Sequence, residues 1–552
     1  MAAKRASRVA GGRALVTLLR NLVGALRDLA LWPFEQRVPR EWILVRLDRG
    51  LVEAAASPPW IAAFRRGPAT VAQLMECLDR AARDPAVRGV VLRVGGGALG
   101  WSKVSSLARA IGELRSGGKR VVVYATATGN AGAWLGALAD DFWMAPEGRL
   151  DLIGVRFSSR FLRGALDHLN IRGDVIHAGK YKSFGDQLTR SALSEPAREM
   201  LEAVVESLYS ELVDGLASGA AGDAETARRW IDGGPYLATQ ARELGIVHDL
   251  VYADEVRARL ARLAGATDPD EEAKLTPAAS YLRVSRPRFR WRPLASGPRL
   301  IAVVPVVGII RSGSASARGV VGALQRLQKS DDVGAVVLRI ECPGGDALAS
   351  DLIWRAASRL AEVKPVVASL GDVAASGGYY LAMAAQEIVA EPTTLTGSIG
   401  VAMPWVEIDA FLDRLGVQVD GVERGRHAGI YDISRARSTE ERALLKRQVE
   451  QLYRSFVEKA ARSRGLETAE LERVAQGRVW TGAQAQERGL VDALGGVGLA
   501  LQRARALTGL GPDEGEVVQI GPAAPPLAQL VGSEPLDLAA GTLLCPVRIP
   551  LH

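Results

Sequence analysis

A serine flanked by small residues lies where a predicted strand gives way to a predicted helix. The mostly apolar residues 366–369 predict a buried strand, and the segment that begins at Ser376-Gly377-Gly378 predicts a helix with Ser376 in its first turn. Small neighbours leave the hydroxyl accessible, and the N–H groups of a helix N-terminus stabilise a developing oxyanion. Ser376 could therefore act as a nucleophile in acyl transfer. The alternative is that Ser376 only caps the helix, which is the commoner role of a lone serine in such a segment.

Paired glycines after a second predicted strand supply a matching oxyanion site. Residues 335–340 predict a buried strand, and Pro-Gly-Gly follows closely at residues 343–345. Glycines at the C-terminal end of a strand let backbone N–H groups form a concave anion site. We therefore predict that the N–H groups of Gly345 and Gly377 form an oxyanion hole. Because a Pro-Gly-Gly turn is common by itself, this prediction depends on its spacing to Ser376.

The sequence shows no evident histidine base and no metal site. None of the five histidines lies beside a carboxylate partner of the kind that activates a nucleophile. They are His168, His177, His248, His427 and His552. The three cysteines are too few for a disulfide framework, and none has metal-ligand spacing. We expect neither a metal nor another cofactor.

The chain contains an internal duplication. Residues 90–94 align with residues 336–340, and residues 153–155 align with residues 399–401, at one offset of 246 (338 minus 92 for the central leucines). An ungapped register over this distance identifies two copies of one unit. In each unit, short β-branched runs alternate with amphipathic stretches such as residues 71–82. The alternation predicts α/β units with mostly parallel, buried sheets.

Three short motifs of the second unit occur together. They are Pro-Gly-Gly at residues 343–345, Ala-Ala-Ser-Gly-Gly-Tyr at residues 374–379 and Thr-Gly-Ser-Ile-Gly-Val at residues 396–401. Together they resemble the bacterial signal peptide peptidase family, also called protease IV, in its long duplicated form, over roughly residues 42–510. The resemblance implies an α/β fold of two tandem Clp-protease/crotonase-like domains. It also implies a homo-oligomer, a tetramer, at the membrane that cleaves released signal peptides.

The resemblance further implies a serine/lysine dyad divided between the two units. The family has its general base in a Tyr-Lys-Ser segment, which here contains Lys182. Lys180 does not match that position and is interpreted as a surface lysine. Ser398 matches the family's second serine, which would orient the lysine amine towards Ser376. A lysine acts as a base only if its pKa falls far below the usual value of about 10.4, and burial lowers it.

The duplication provides an internal test of this dyad. The offset of 246 places Asn130 at the position of Ser376 and Ala428 at the position of Lys182. Each unit therefore has one member of the pair and lacks the other, and the first unit also lacks both oxyanion glycines. We expect one composite active site in each chain, built between the halves.

Five segments make up the predicted organisation. They are a basic amphipathic segment at 1–41, a first unit with the base lysine at 42–265, a Pro/Arg-rich linker at 266–298, a second unit with the serine and oxyanion hole at 299–511, and a loosely ordered Gly/Pro/Ala-rich tail at 512–552, for which we expect no chemistry. In the first segment, leucines at helical spacing and arginines at every seventh residue favour an interfacial helix. A helix packed on the protein's own surface explains them equally well. We expect peripheral or monotopic attachment to a bacterial cell membrane, on a side that the sequence leaves open.

Charge alone decides little about partners. The formal net charge of +7 over 552 residues suits an anionic surface, but solvated arginines account for it equally. Arginine alternates with aromatic residues at 286–293, and an extended arm with one solvated edge explains this pattern without nucleic acid. The expected partners are peptides, the membrane surface and further copies of the chain, and not nucleic acid.

Two other functions stay open at this stage. A non-catalytic, membrane-associated scaffold fits the degenerate first unit and the basic N-terminal segment. A crotonase-like acyl-CoA enzyme would also use an oxyanion hole, since one fold hosts several reactions. Such an enzyme would not require the pair of Lys182 and Ser398.

Overall fold

The computed structural model describes residues 18, 21–23, 25–26, 38–48, 50–54, 70–97, 99–268, 270–285, 300–511, 514–521 and 542–544. Most of the predicted N-terminal segment, the arginine-rich end of the linker and most of the tail lie outside these residues. Within the described ranges, no helix combines the length and the apolar character that crossing a bilayer requires.

From residue 42 onwards, the described part of the first half has eight strands and ten helices. Its strands are β1 (Trp42–Arg46), β2 (Gly89–Val94), β3 (Arg120–Gly129), β4 (Asp141–Asp151), β5 (Arg172–Ala178), β6 (Tyr236–Leu237), β7 (Asp249–Leu250) and β8 (Leu275–Pro277). Its helices are α1 (Val71–Arg83), α2 (Trp101–Ser116), α3 (Asn130–Leu138), α4 (Arg163–His168), α5 (Asp186–Thr189), α6 (Glu195–Ala217), α7 (Ala224–Gly233), α8 (Ala238–Glu243), α9 (Val256–Leu263) and α10 (Ala278–Val284).

The second half has eleven strands and eight helices in the same description. Its strands are β9 (Leu300–Val307), β10 (Val333–Cys342), β11 (Gly344–Asp346), β12 (Val366–Ala375), β13 (Glu387–Ala390), β14 (Leu395–Gly397), β15 (Val401–Glu407), β16 (Val479–Thr481), β17 (Ala493–Leu494), β18 (Glu516–Gln519) and β19 (Thr542–Leu544). Its helices are α11 (Ala315–Lys329), α12 (Ala347–Ala361), α13 (Gly377–Ala382), α14 (Asp409–Arg414), α15 (Thr439–Arg464), α16 (Thr468–Val474), α17 (Gly482–Glu487) and α18 (Val497–Leu507).

Helix α1 shows why the amphipathic segments fold as helices. Its buried residues recur at a spacing of three or four, which is one face of a helix. They are Val71, Leu74, Met75, Cys77, Leu78 and Ala81. Thr70 caps the helix in a capping box, in which Thr70 Oγ1 accepts from the Gln73 N–H (3.3 Å) and Gln73 Oε1 accepts from the Thr70 N–H (3.2 Å). Helix α1 matches the segment predicted at residues 71–82.

Two mostly parallel sheets form the cores of the two halves. The strand order is β6-β4-β3-β2-β1-β8 in the first and β16-β14-β12-β10-β9-β18 in the second, with β7 beside β4 and β13 beside β12 and β17. The short strands β6 and β16 run antiparallel to their neighbours. All residues of β10 except Glu341 are buried, as is typical of a sheet covered on both faces. The α/β class with two tandem domains is confirmed.

The structure differs from two of the predicted boundaries. Strand β8 and helix α10 lie within the predicted linker, and β8 pairs in parallel with β1 at the edge of the first sheet. Strand β18 lies in the predicted tail and pairs in the same way with β9. Each half therefore ends in an equivalent edge strand. Strands this short, beside prolines and charges, resemble loop sequence, and Pro277 is tolerated because it ends an edge strand.

A third sheet joins the two halves. Strand β5 of the first half pairs antiparallel with β15 of the second, from Arg172 opposite Glu407 to Ala178 opposite Val401. Strand β19 pairs with β15 and with β11, which gives the order β11-β19-β15-β5. Because Lys182 follows the end of β5 by four residues, the pairing of β5 with β15 carries it to the second half.

Candidate active site

Ser376 lies at the junction of β12 and α13. It has φ 55° and ψ −113°, a conformation that is rare for any residue with a side chain. Two backbone hydrogen bonds hold it there, from Ser376 N to Gly397 O (2.7 Å) and from Tyr380 N to Ser376 O (2.8 Å). The side chain is fully buried. A strained serine at a strand-to-helix turn is the arrangement in which many hydrolases present a nucleophile.

Strand register brings Ser398 next to Ser376. Ala375 in β12 is opposite Gly397 in β14, so the residues that follow them leave the sheet side by side. Ser398 also has a positive φ, 51°. Its N–H donates to Arg478 O (2.7 Å), and its side chain is buried. Both serines therefore occupy backbone conformations that the surrounding strands impose.

Lys182 is buried, with 1% of its surface exposed, and its amine contacts both serines. Its Nζ lies 2.7 Å from Ser376 Oγ, 3.0 Å from Ser398 O and 3.0 Å from Ser398 Oγ. All three distances are within hydrogen-bonding range. Burial disfavours the charged ammonium relative to the neutral amine. Lys180, by contrast, is exposed, with its Nζ 3.4 Å from Tyr181 Oη.

The glycines predicted to form the oxyanion hole lie against each other. A Cβ on Gly377 would lie 3.1 Å from Gly344 Cα and 3.2 Å from Gly345 N. Gly345 has φ 153°, and a Cβ there would lie 1.9 Å from Ile310 O. A side chain at Gly345 would displace backbone, and one at Gly377 would also displace the Ser350 hydroxyl, 2.7 Å from the new Cβ. Gly377 is in the first turn of α13, where N–H groups have no acceptor within the helix.

A loop before β16 supports the lysine, and none of the sequence-based predictions includes it. Gln476 has φ 54°; its backbone O accepts from Tyr181 N (2.8 Å), and its Oε1 accepts from Lys180 N (3.0 Å). A Cβ on Gly477 would lie 2.6 Å from Lys182 Cβ. The loop thus holds the two residues before Lys182 by hydrogen bonds and packs against Lys182 itself at Gly477. No motif or spacing in the sequence marks these residues, because their role depends on a contact across 294 positions of the chain (476 minus 182).

The described histidines lie away from the two serines. His168, His177 and His248 are exposed, and His427 lies beside Glu440. His552 is outside the described residues. In the described part of the chain, the hydrogen-bond partners of Ser376 include Lys182 but no histidine.

A group of buried and half-buried charges, here called the charge cluster, connects the halves close to Ser376. It consists of Glu53 and Lys103 from the first half and Arg339, Glu341 and Asp372 from the second. Arg339 pairs with Glu53 through two contacts of 2.8 and 3.0 Å, and Lys103 pairs with Asp372. Glu341 lies two residues before the Pro-Gly-Gly turn at 343–345, and Asp372 lies four residues before Ser376.

The charge cluster shifts the pKa values of its carboxyl groups in opposite directions. Burial alone would raise the pKa of Glu53, but Arg339 and Lys103 outweigh it and hold that pKa at about 2. Burial, together with the nearby carboxylate of Asp372, raises the pKa of Glu341 to about 7. Glu341 Oε2 accepts a hydrogen bond from Asp372 N (2.8 Å). The cluster therefore contains one firmly ionised carboxylate and one that titrates near neutral pH.

Known proteins share this chain's sequence over most of its length. The family model of Peptidase family S49 matches residues 113–267 and 358–511, which together are more than half of the chain. A serine protease SPPA, chloroplastic, from Arabidopsis thaliana is 36% identical over 489 residues, which cover 87% of this chain and 71% of the relative. Protease 4 of Haemophilus influenzae is 27% identical over 78% of this chain and 72% of its own length. A putative signal peptide peptidase SppA of Enterococcus faecium is 31% identical over 31% of this chain and 50% of its own length.

The family match falls on both halves, in agreement with the duplication and with the two equivalent sheets. The resemblance read from the three motifs of the second unit is thereby confirmed. The chain belongs to peptidase family S49 and is a serine protease.

Proposed function

We propose that Ser376 is the nucleophile and Lys182 the general base of a serine/lysine peptidase. The observation that carries this proposal is the set of three contacts at Lys182 Nζ. A neutral amine has one lone pair and two N–H groups. With the two N–H groups donated to Ser398 O and Ser398 Oγ, the lone pair is directed at the Ser376 hydroxyl. Ser398 is then a positioning residue for the base.

The reaction follows from this arrangement. Ser376 Oγ attacks the peptide carbonyl as Lys182 accepts the hydroxyl proton, and the carbonyl oxygen becomes an oxyanion facing the N–H groups of Gly345 and Gly377. The C–N bond breaks as the Lys182 ammonium gives its proton to the leaving amine. Water then attacks the acyl-enzyme while Lys182 accepts its proton, and release of the acid regenerates the Ser376 hydroxyl.

Covalent labelling tests the nucleophile. A peptidyl fluorophosphonate should add to Ser376 Oγ with loss of fluoride, and peptide mapping should find the adduct on that residue. Ser376→Ala should not be labelled, and Lys182→Ala should be labelled much more slowly. Unimpaired peptide hydrolysis by Ser376→Ala would refute the assignment. Labelling of another serine with full loss of activity would also refute it.

The proposed substrates are signal peptides released into or near the membrane. The support is the name of the Enterococcus relative, a putative signal peptide peptidase. The test compares a synthetic signal peptide with a peptide of equal length in which the apolar run is made polar. A higher kcat/KM for the signal peptide is expected, and equal values would contradict the proposal.

Attachment to the membrane surface is proposed from the N-terminal sequence pattern and the net charge of +7. In flotation assays, the chain should bind vesicles that contain anionic phosphatidylglycerol. Replacement of Arg13, Arg20 and Arg27 by glutamine should weaken this binding. Replacement of three exposed arginines elsewhere, Arg198, Arg229 and Arg257, is the matched control. Equal losses in both variants would show that only total charge matters.

A homo-oligomer, by resemblance a tetramer, is proposed from the duplication. Strand β5 of the first half pairs with β15 of the second. The offset of 246 places residues 418–424 at the position of β5 and residues 155–161 at the position of β15, and neither segment forms a strand. Val419 and Val422 in the first of these segments are 59% and 88% exposed. A second copy that pairs its residues 155–161 with residues 418–424 would repeat the internal contact between chains.

Val422→Glu tests this interface. It should lower the mass measured by light scattering at micromolar concentration. Val363→Glu, at an exposed valine outside both segments, should leave the mass unchanged. A monomeric wild-type chain would overturn the proposal.

A further inference from the structure

Arg478, in the loop before β16, contacts both halves of the candidate site. Its backbone O accepts a hydrogen bond from Ser398 N (2.7 Å) in the second half. Its guanidinium contacts the first half, where Nη1 donates to Glu199 Oε1 (2.6 Å) and Cζ lies 4.7 Å from the centroid of the Tyr181 ring. Tyr181 directly precedes Lys182, the proposed base. One residue therefore contacts Ser398 and the residue next to Lys182.

The guanidinium of Arg478 lies against two aromatic rings and a carboxylate. Trp480 provides the second ring, with its centroid 4.6 Å from Arg478 Cζ. Both ring distances are within the range of a cation–π contact, and a planar guanidinium can stack on a ring while it pairs with a carboxylate. The Tyr181 hydroxyl lies 3.2 Å from Glu199 Oε2, so the first ring and the carboxylate are also joined to each other.

Stacking on the rings contributes more to this arrangement than the ion pair does. The Glu199 side chain is 50% exposed, and an ion pair that is open to solvent contributes little to stability. The Arg478 side chain is only 16% exposed, and the Trp480 ring is buried. A lysine in place of Arg478 would keep the charge and lose the planar stacking. The arrangement is thus specific for a guanidinium.

The first half has a glycine at the equivalent position. Gln240 Oε1 and Gln484 Oε1 each accept a hydrogen bond from the backbone N–H three residues earlier, where an antiparallel edge strand gives way to a short helix. Their offset is 244 (484 minus 240), and the same offset places Gly234 at the position of Arg478. The turn before such an edge strand can therefore form without an arginine. The arginine occurs in the half that receives the lysine of the other half.

We propose that Arg478 is a positioning residue, whose guanidinium holds the segment of Lys182 in place against Ser398. This inference rests on the proposed roles of Ser376 and Lys182. Arg478 fixes Ser398 through its backbone and Tyr181 through its side chain. The position of the Lys182 amine relative to the Ser398 hydroxyl therefore depends on both contacts. Without the guanidinium, the amine leaves the Ser376 hydroxyl more often, and fewer bound peptides react.

Removal of the guanidinium is the first test. Arg478→Ala should lower kcat for a quenched fluorescent peptide by roughly ten-fold, a smaller loss than misplacement by a full ångström causes, and should hardly change KM. Arg488→Ala is the matched control, because Arg488 Cζ also lies over the Trp480 ring (4.0 Å) while its Nη1 donates to Gln484 O (2.7 Å), within the second half. An unchanged kcat for a folded Arg478→Ala chain, or an equal loss in the control, would overturn the proposal.

Rescue by free guanidinium separates positioning from a purely structural role. Arg478→Ala leaves a space beside the Tyr181 ring, the Trp480 ring and Glu199. Guanidinium chloride, at concentrations too low to unfold the chain, should fill this space and restore part of kcat, whereas the same concentration of sodium chloride should not. Arg478→Lys should also keep part of kcat, because it retains the charge. A kcat that neither guanidinium nor the lysine variant raises would refute the positioning role.

Hydrogen exchange gives a readout that does not depend on catalysis. Tyr181 N donates to Gln476 O (2.8 Å), so the segment at residues 179–184 exchanges its amide protons only when it opens. Exchange in a peptide that covers this segment should be faster in Arg478→Ala than in the wild-type chain. In Arg488→Ala it should equal the wild-type rate. Equal exchange in all three chains would show that the guanidinium does not hold the segment.

The two readouts distinguish failure of this proposal from failure of the proposed function. If Ser376→Ala still hydrolyses peptides, the proposed function fails, and faster exchange in Arg478→Ala would still show that the guanidinium holds the segment. If hydrolysis requires both Ser376 and Lys182 but Arg478→Ala keeps the wild-type kcat and exchange rate, the positioning role fails alone.

Discussion

Asn130 and Ser376 occupy equivalent positions in the two halves, at the start of the short helix that follows a central strand. The Asn130 amide is used up locally: its Oδ1 accepts from Ile153 N (3.1 Å) and Gly154 N (3.3 Å), and its Nδ2 donates to Gly154 O (2.8 Å). The Ser376 hydroxyl instead contacts Lys182, which the other half supplies. The Asn130 amide forms hydrogen bonds with the nearby backbone by itself, whereas the smaller Ser376 hydroxyl leaves space for the Lys182 amine.

Two further positions of the candidate site also differ between the halves, and in both the first half has an apolar side chain. The offset of 246 places Leu152 at the position of Ser398 and Leu99 at the position of Gly345, and both leucines are buried. In the first half, buried apolar side chains occupy the positions at which the second half has the proposed positioning hydroxyl and the proposed oxyanion donor. The comparison teaches that the same turn can be stabilised by packing, as in the first half, or can leave a hydroxyl for the chemistry that we propose for the second half.

Substitution of the equivalent residues Ser376 and Asn130 by alanine should have the largest effects, on activity and on stability respectively. Ser376→Ala should lower kcat by at least about a thousand-fold, since removal of a nucleophile leaves only the other contributions to catalysis. It should hardly change thermal stability. Asn130→Ala should do the reverse, because it removes the three hydrogen bonds to the backbone of Ile153 and Gly154, each worth about 0.5–1.5 kcal/mol. Peptide hydrolysis and calorimetry on both variants test the contrast. Strong loss of activity in a folded Asn130→Ala chain would break it.

Gly477→Ala should have the next largest effect. The new Cβ would fall 2.6 Å from Lys182 Cβ, and the φ of 76° disfavours alanine. Lys182 should move from Ser376, and kcat should fall by about a hundred-fold, as when catalytic groups are misplaced by an ångström. Gly465→Ala, at a positive φ with open space around it, is the control for backbone strain alone. Equal activity in the two variants would show that the loop does not hold the lysine.

Ser398→Ala should lower kcat by roughly ten-fold, which corresponds to loss of about one hydrogen bond to the base. The Ser398 carbonyl still accepts from Lys182, so the amine keeps part of its orientation. A positioning role predicts that the pH profile of kcat also shifts, which a purely structural role would not produce. Ser398→Thr, which restores a hydroxyl, should recover part of the activity. An unshifted profile in Ser398→Ala would argue against the positioning role.

Local patterns in the sequence predicted much of this fold and part of the site. The strand-to-helix turn at Ser376 and the helix at residues 71–82 follow from short runs of residues, and the structure has both. The edge strand β8 was missed because three residues beside a proline carry little signal. Gln476 and Gly477 were missed because their contact with residues 180–182 depends on tertiary packing. The charge cluster was also not predicted, since its five members come from four separate segments that only the folded halves bring together.

The charge cluster gives the smallest and most specific prediction. Arg339 is buried and paired with Glu53, whereas its counterpart Arg93 pairs with Asp48 at the surface, with 40% of its side chain exposed. The offset of 246 places Gly95 at the position of Glu341. Of these two equivalent positions, only the one in the second half carries a carboxyl group that can titrate.

The pKa of Glu341 is about 7 in the folded chain, above its usual 4.5. Between these values the folded chain holds a proton that the unfolded chain has lost, so stability falls as pH rises, by at most about 1.4 kcal/mol per pH unit for one proton.

Glu341→Gln tests this, because it keeps an acceptor for Asp372 N and removes the titration. The difference in melting temperature between this variant and the wild type should therefore grow in favour of the variant from pH 5 to pH 8. Glu53 does not contribute to this change, because its pKa of about 2 in the folded chain lies below the usual 4.5. Its stabilising effect is lost only as the pH falls below about 4.5. A difference that is constant with pH would show that Glu341 stays ionised beside Lys103, and that the cluster is a fixed ion network without a titrating member.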